Sequence, residues 1–205
     1  MLIVKINYKG EIIFMKNLAG TKTEQNLLKA FAGESQARNR YTFFAEKARE
    51  EGYEQIAELF LETALNEKAH AQKFFSFLEG RPLEITATYP AGKVGTTAEN
   101  LKAAAMGENE EYAEIYPEFA KIAKEEGFME IAAAFNMVAK AEVEHEERYL
   151  KLLKNLEEDK VFKKDETVRW KCRYCGYVHE AEGAPAKCPL CGYDRAYFEL
   201  KETNY

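Results

Sequence analysis

Apolar residues recur every three or four positions through most of the chain, the pattern of helices that each bury one face. The first run follows Thr21-Lys22-Thr23-Glu24, which has the form of a capping box. It carries Leu27, Leu28, Phe31, Ala32, Tyr41 and Phe44 before Gly52 stops it. A second run, from about Glu54 to Glu79, offers Ile56, Leu59, Phe60, Ala64 and Phe74 to a core. So short a link predicts an antiparallel helical hairpin. Between Gly80 and Gly95 the periodicity fails around Pro82, Pro90 and Gly92, which predicts a long crossover rather than a tight turn. Thr96-Thr97-Ala98-Glu99 has the form of a second capping box and opens a third helix that Gly127 ends. A fourth helix runs from about Phe128 to Leu156. The expectation is a mainly α chain built on a four-helix bundle with one long crossover.

Both ends depart from this pattern. Leu2, Val4, Ile6 and Tyr8 alternate, a Lys9-Gly10 turn follows, and Ile12-Ile13-Phe14 completes a possible β-hairpin. The alternative, which is preferred, makes Met15 the natural start and residues 1–14 a translation artefact or a loosely attached appendage. Lys5, Asn7, Lys9 and Glu11 interrupt the segment, so it lacks the apolar centre of a signal peptide. After the bundle (15–157), the charge-rich stretch 158–166 reads as a linker to a small domain, 167–205.

The bundle repeats internally. Glu50-Glu51-Gly52-Tyr53 matches Glu125-Glu126-Gly127-Phe128 at an offset of 75 residues (127 − 52), which Tyr41 and Tyr116, Ile56 and Ile131, and Phe60 and Phe135 share. Gly33-Glu34 instead matches Gly107-Glu108 at 74 (108 − 34). One residue is therefore inserted between Glu108 and Tyr116, and a π-bulge is the usual way for a helix to absorb it. Pro117, with no N–H to donate, would fall just beyond the bulge.

The repeat carries chemistry. Two of the three histidines lie in Glu-x-x-His motifs, Glu67–His70 and Glu142–His145, also related by 75. Spacing of three puts both side chains on one helix face. Such a motif on each of two helices, with a Glu from each of the other two, is the ligand set of a dinuclear carboxylate site in a bundle. Glu34 and Glu108 supply the remaining pair, and Glu111 is an extra carboxylate whose counterparts, Gln36 or Ala37, are uncharged. A lone helical glutamate usually belongs to a solvated face. Glu50, Glu51, Glu58, Glu144, Glu146 and Glu147 are left there, while Met106, Met137 and Phe135 are read as core. Tyr41 and Tyr116 lie two turns beyond Glu34 and Glu108. They read equally as aromatic packing or as hydroxyls that orient ligand carboxylates.

Cys172-x-x-Cys175-Gly176 and Cys188-x-x-Cys191-Gly192 hold all four cysteines. This is the pattern of a closed tetrahedral thiolate site rather than of disulfides, and its spacing alone leaves zinc and iron open. A domain this small needs the metal to fold. A net charge of −6, with six basic and five acidic residues beyond Val168, argues against nucleic-acid binding. No apolar run approaches a membrane span, and unpaired Cys-x-x-Cys motifs suit a reducing cytoplasm.

Ala32-Gly33-Glu34-Ser35-Gln36-Ala37-Arg38-Asn39-Arg40-Tyr41, Gly107-Glu108-Asn109-Glu110-Glu111-Tyr112, the two Glu-x-x-His motifs and Trp170-Lys171-Cys172 resemble the signature segments of rubrerythrins. The order, a ferritin-like bundle followed by a rubredoxin-like domain, resembles theirs as well. The resemblance implies a cytoplasmic, homodimeric, non-haem peroxidase that reduces hydrogen peroxide to water. It implies a di-iron centre held by Glu34, Glu67, Glu108, Glu111, Glu142 and His145, with one further iron on Cys172, Cys175, Cys188 and Cys191 relaying electrons. It also implies that on reduction one iron exchanges Glu111 for His70. The electron donor would be a redox carrier or an NAD(P)H-dependent reductase. Iron storage, a di-iron oxygenase and a zinc-ribbon binding protein are the rival readings.

Overall fold

The computed structural model describes residues 2–6 and 12–204, with side chains from Lys16 onward. Strands β1 (Leu2–Ile6) and β2 (Ile12–Lys16) pair antiparallel, with Leu2 opposite Lys16 and Ile6 opposite Ile12. The expected Lys9-Gly10 turn lies outside the described residues.

Helices α1 (Lys22–Glu50) and α2 (Glu54–Phe75) form the first hairpin. The second half comprises α3 (Thr97–Glu110), a π-helical turn at Glu111–Ile115, α4 (Tyr116–Glu125) and α5 (Met129–Glu157). The inserted residue is absorbed in that π turn, and α3, the π turn and α4 form one continuous rod. Pro117 follows directly, where its missing N–H costs no ladder bond.

Both hairpins turn in the same way. Gly52 (φ +82°) and Gly127 (φ +79°) adopt the left-handed conformation that a β-carbon disfavours. Tyr53 N–H bonds to Ala48 C=O at 2.8 Å and Phe128 N–H to Ala123 C=O at 2.7 Å, the long-range bond of a Schellman cap. The residue before each glycine then caps the other half. Glu126 accepts from the N–H groups of Lys22 and Thr23 (3.2 and 2.9 Å), and Glu51 accepts from the N–H of Thr97 (2.9 Å). Burial raises the Glu51 carboxyl's pKa, but the Thr97 bonds outweigh it and hold the group below its ordinary value. Glu51 is thus not the solvated residue expected.

The capping box at Thr96 is complete, whereas that at Thr21 is half made. Thr21 accepts from the N–H of Glu24, but the buried Glu24 carboxylate turns to Gly20 N–H and to Arg81 of the crossover. A guanidinium offers a charged partner that the Thr21 N–H cannot match. Helix α2 stops at Phe75 rather than Glu79, where tighter bonds from Phe77 to Phe74 and Leu78 to Phe75 end the helical ladder.

Two apolar clusters fill the bundle. Tyr41, Phe44, Ile56, Phe60, Leu101 and Tyr149 form one, and Leu27, Phe74, Tyr116, Ile131 and Phe135 anchor the other. On every helix the expected ligand glutamate falls between residues of the two clusters, so the carboxylates occupy a polar layer between apolar slabs. Met106 and Met137, read as core, are 65% and 60% exposed.

The C-terminal unit is a three-stranded antiparallel sheet in the order β4-β3-β5, from β3 (Lys163–Cys172), β4 (Val178–Gly183) and β5 (Phe198–Leu200). Strand β3 begins inside the charge-rich stretch read as a linker, so the connection from α5 is shorter than its composition implies. Trp170, Cys172, Ala184, Cys188 and Phe198 make a small core. This unit meets the α1–α2 turn, where Phe162 stacks on Tyr53 with ring centroids 6.0 Å apart. No described helix is long and apolar enough to cross a membrane.

Candidate metal centres

Helical spacing brings the two Glu-x-x-His motifs face to face across the bundle. Glu34, Glu67, His70 and Glu142 form one group of potential ligands, and Glu67, Glu108, Glu142 and His145 form a second. Glu67 and Glu142 belong to both. His70 Nδ1 lies 3.2 Å from Glu67 Oε2 and 3.0 Å from Glu142 Oε1. His145 Nδ1 lies 3.2 Å from Glu67 Oε1 and 2.8 Å from Glu142 Oε2. Each shared carboxylate thus turns one oxygen to each histidine, the disposition of a bridging ligand between two cations. Glu34 stands at the outer side of the first group and Glu108 at that of the second.

The donor atoms fit such a pair of ions. The four group glutamates are fully buried and His145 is 5% exposed. Glu34 Oε2, Glu67 Oε1, Glu108 Oε2, both oxygens of Glu142 and His145 Nδ1 are buried without a hydrogen-bond partner. Six orphaned polar atoms in one layer would be costly in a native core, and cations are what would satisfy them.

The crowding shows in the acidities. Burial, then Glu67 and Glu111, push the Glu34 carboxyl well up. Burial drives Glu108 to about 8 against the opposing pull of His145. For Glu67 burial is outweighed by His145 and His70, and its pKa falls to about 2. Burial works against the histidine charges, yet the carboxylates facing them raise His70 to about 9 and His145 to about 12. Protons held this firmly among acidic ligands are those that cations displace on binding.

Glu111 lies outside both groups. It begins the π turn, is half-buried, and its carboxyl is raised by burial and then by Glu108, Glu142 and Glu67. The structure therefore gathers six of the seven expected ligands in the His70-facing arrangement and leaves Glu111 beside it.

The tyrosines cross the repeat. Tyr41 donates to Glu108 Oε1 (2.5 Å), and Tyr116 donates to Glu34 Oε1. Each tyrosine thereby serves the ligand of the opposite half. Spacing along one helix places a tyrosine on the right face but does not reveal a partner on another helix. Tyr149 was overlooked. It is fully buried, packs edge-on to Tyr41 at 5.5 Å, and has a hydroxyl with no hydrogen-bond partner. Its position four residues after His145, on the ligand face, was the available signal.

In the C-terminal unit the two Cys-x-x-Cys loops are near copies. Cys172 N–H bonds to Tyr177 C=O and Cys188 N–H to Tyr193 C=O, both at 2.8 Å. Gly176 and Gly192 turn each loop at φ +78° and +77°. The sulfurs of Cys172 and Cys191 are 3.8 Å apart, and those of Cys175 and Cys188 are 3.6 Å apart. A disulfide needs ~2.05 Å, whereas a tetrahedron with metal–sulfur bonds of ~2.3 Å has edges of ~3.8 Å. The Tyr177 N–H favours the Cys175 thiolate and the Tyr193 N–H that of Cys191, but burial and neighbouring sulfurs outweigh them, leaving Cys191 raised and Cys175 at about 12.

Comparison with known proteins gives a consistent picture. The family profile described as Rubrerythrin matches residues 25–153, and that described as Rubrerythrin, rubredoxin-like domain matches residues 170–199. The chain is 60% identical to a rubrerythrin of Porphyromonas gingivalis, over 93% of this chain and 95% of that protein. It is 55% identical to a rubrerythrin of Clostridium perfringens, over 93% of this chain and all of that one. Among solved structures, fully reduced, all-ferrous nigerythrin superposes with a TM-score of 0.60 at 34% identity, covering 90% of this chain and 91% of the other.

Proposed function

The chain belongs to the rubrerythrin family, and on that premise we propose that it is a non-haem di-iron peroxidase. It reduces hydrogen peroxide to water, drawing electrons through the four-cysteine iron. The observation that carries this reading is the pair of four-residue groups sharing Glu67 and Glu142, in a chain that also holds a tetrahedral cysteine site. The all-ferrous state of the related nigerythrin favours iron in both kinds of site.

The balance is H2O2 + 2 e− + 2 H+ → 2 H2O. Iron, when bound, supplies the redox chemistry, two ferrous ions together providing the two electrons. Glu67 and Glu142 would be shared by the two ions, Glu34 with His70 and Glu108 with His145 would complete the ligand sets, and Tyr41 and Tyr116 fix the outer carboxylates. With iron bound, Glu111 would exchange with His70 according to redox state. A carboxylic acid in that position can also deliver the protons that the oxygen atoms need.

Electrons enter at the C-terminal unit. Beside its loops, Tyr174 and Leu190 are 60% and 67% exposed, a surface where a redox carrier or an NAD(P)H-dependent reductase can approach. The four free cysteines suit the reducing cytoplasm, and the resemblance to rubrerythrins supports a homodimer.

Metal analysis with an anaerobic peroxide titration tests the reading. Three irons per chain, a thiolate–iron visible band and one peroxide consumed per reduced di-iron centre are expected. Zinc in the cysteine site with no iron in the bundle would overturn it.

A further inference from the structure

A cavity of about 260 Å³ lies between α1, the π turn and the crossover, and Arg40, Glu111 and Tyr116 all line it. The crossover closes one side of it, pinned where the Tyr89 hydroxyl donates to Lys29 C=O at 2.7 Å. Arg40 is the unexplained group here. Its Nε is buried without a hydrogen-bond partner, although each guanidinium N–H is an obligate donor. Its Nη2 rests over Gly107, 3.7 Å from where a β-carbon would stand, and its guanidinium carbon lies 5.7 Å from the centre of the Tyr41 ring. Gly107 and Glu111 are four residues apart on one helix face, so the guanidinium sits one turn from the Glu111 carboxylate. Glu111 in turn has carboxylates as its other strong electrostatic neighbours, and Arg40 is the cation that offsets them.

We propose that Arg40 is a positioning residue that receives the Glu111 carboxylate when Glu111 is away from the metals. This inference rests on the exchange of Glu111 with His70 in the proposed function, and it adds the group that sets the balance of that exchange. The partnerless Arg40 Nε and the Glu111 carboxylate belong to side chains that line one cavity, and turned toward each other they would form a charge-assisted pair. Because the pair exists only when Glu111 is displaced, Arg40 favours the reduced, His70-bound arrangement and raises the potential of the centre.

The test compares the iron-loaded wild type with Arg40→Gln and Arg40→Lys, by crystal structures in both redox states and by potentiometry. In the reduced wild type, Glu111 is expected within hydrogen-bond distance of Arg40. Arg40→Gln is expected to shift the exchange about tenfold toward bound Glu111, lowering a one-electron midpoint by about 59 mV. Arg40→Lys, which keeps the charge, is expected to restore most of the difference. An unchanged potential and unchanged Glu111 position in Arg40→Gln would overturn the role of Arg40 while leaving the exchange intact. Glu111 fixed in one place in both states of the wild type would overturn the exchange and this proposal together.

Discussion

The two halves of the bundle use the same parts and differ at a few positions. Gly52 and Gly127, Glu51 and Glu126, Tyr41 and Tyr116, and Phe60 and Phe135 occupy equivalent places. The second half alone has a π turn, a surplus Glu111 and Tyr149 where the first half has Phe74. The shared parts offer two equivalent sets of donor atoms. The π turn and Glu111 make the two sides of the layer chemically distinct.

Breaking the shared parts has the largest expected effect. Glu67→Ala or Glu142→Ala removes a carboxylate common to both groups, so each is expected to cost both bundle metals and at least about a hundredfold in peroxide reduction, an effect worth about 2.7 kcal/mol. Metal analysis should give equal losses for the two variants, and one variant that keeps both ions would sink the bridging assignment. Glu111→Ala touches only the unshared face. It is expected to keep two irons in the bundle while peroxide reduction falls about tenfold, about 1.4 kcal/mol. Full activity in that variant would remove Glu111 from the reaction.

Tyr41→Phe and Tyr116→Phe probe the equivalence more gently. Each leaves a buried carboxylate oxygen short of one donor, at a cost of about 1–3 kcal/mol in stability. Denaturant unfolding should find similar losses, and a clear inequality would show that the repeat is not energetically symmetric. A further comparison, made on protein without metal, is a pH trend common to both halves. In metal-stripped protein the folded pKa values of Glu108, His70 and His145 are raised to about 8, 9 and 12, from 4.5 for Glu and 6.5 for His. Their stabilising contribution is complete below the unfolded values and is lost as pH climbs through the folded ones. Glu67, lowered to about 2, contributes above 4.5 and loses that contribution in acid. Thermal melts of stripped protein should therefore fall from about pH 5 to pH 9. Iron-loaded protein should show a shallower or opposite trend, since binding requires those protons to leave.

Local features were legible in the sequence. Helical periodicity, glycine stops and the 74-against-75 offset are properties of single segments or of their comparison, and they led to the helices and the π turn. Partners across the fold were not. Glu24 looked like half of a capping box because its contact with Arg81 lies across 57 residues of chain. Glu51 looked like a surface acid because the amide it caps belongs to a distant helix. Arg40 sits inside a motif segment, yet its unpaired state depends on what surrounds it in space. Met106 and Met137 had the right side chain for a core and the wrong helix face.

The reciprocal caps also bear on how such a bundle can be assembled. Glu51 of the first hairpin closes the start of α3, and Glu126 of the second closes the start of α1. That is an isologous contact, the same patch used twice about a two-fold axis, as in a symmetric dimer. Each hairpin carries a cap that only a second hairpin can use. A half-length chain would therefore be self-complementary at this contact.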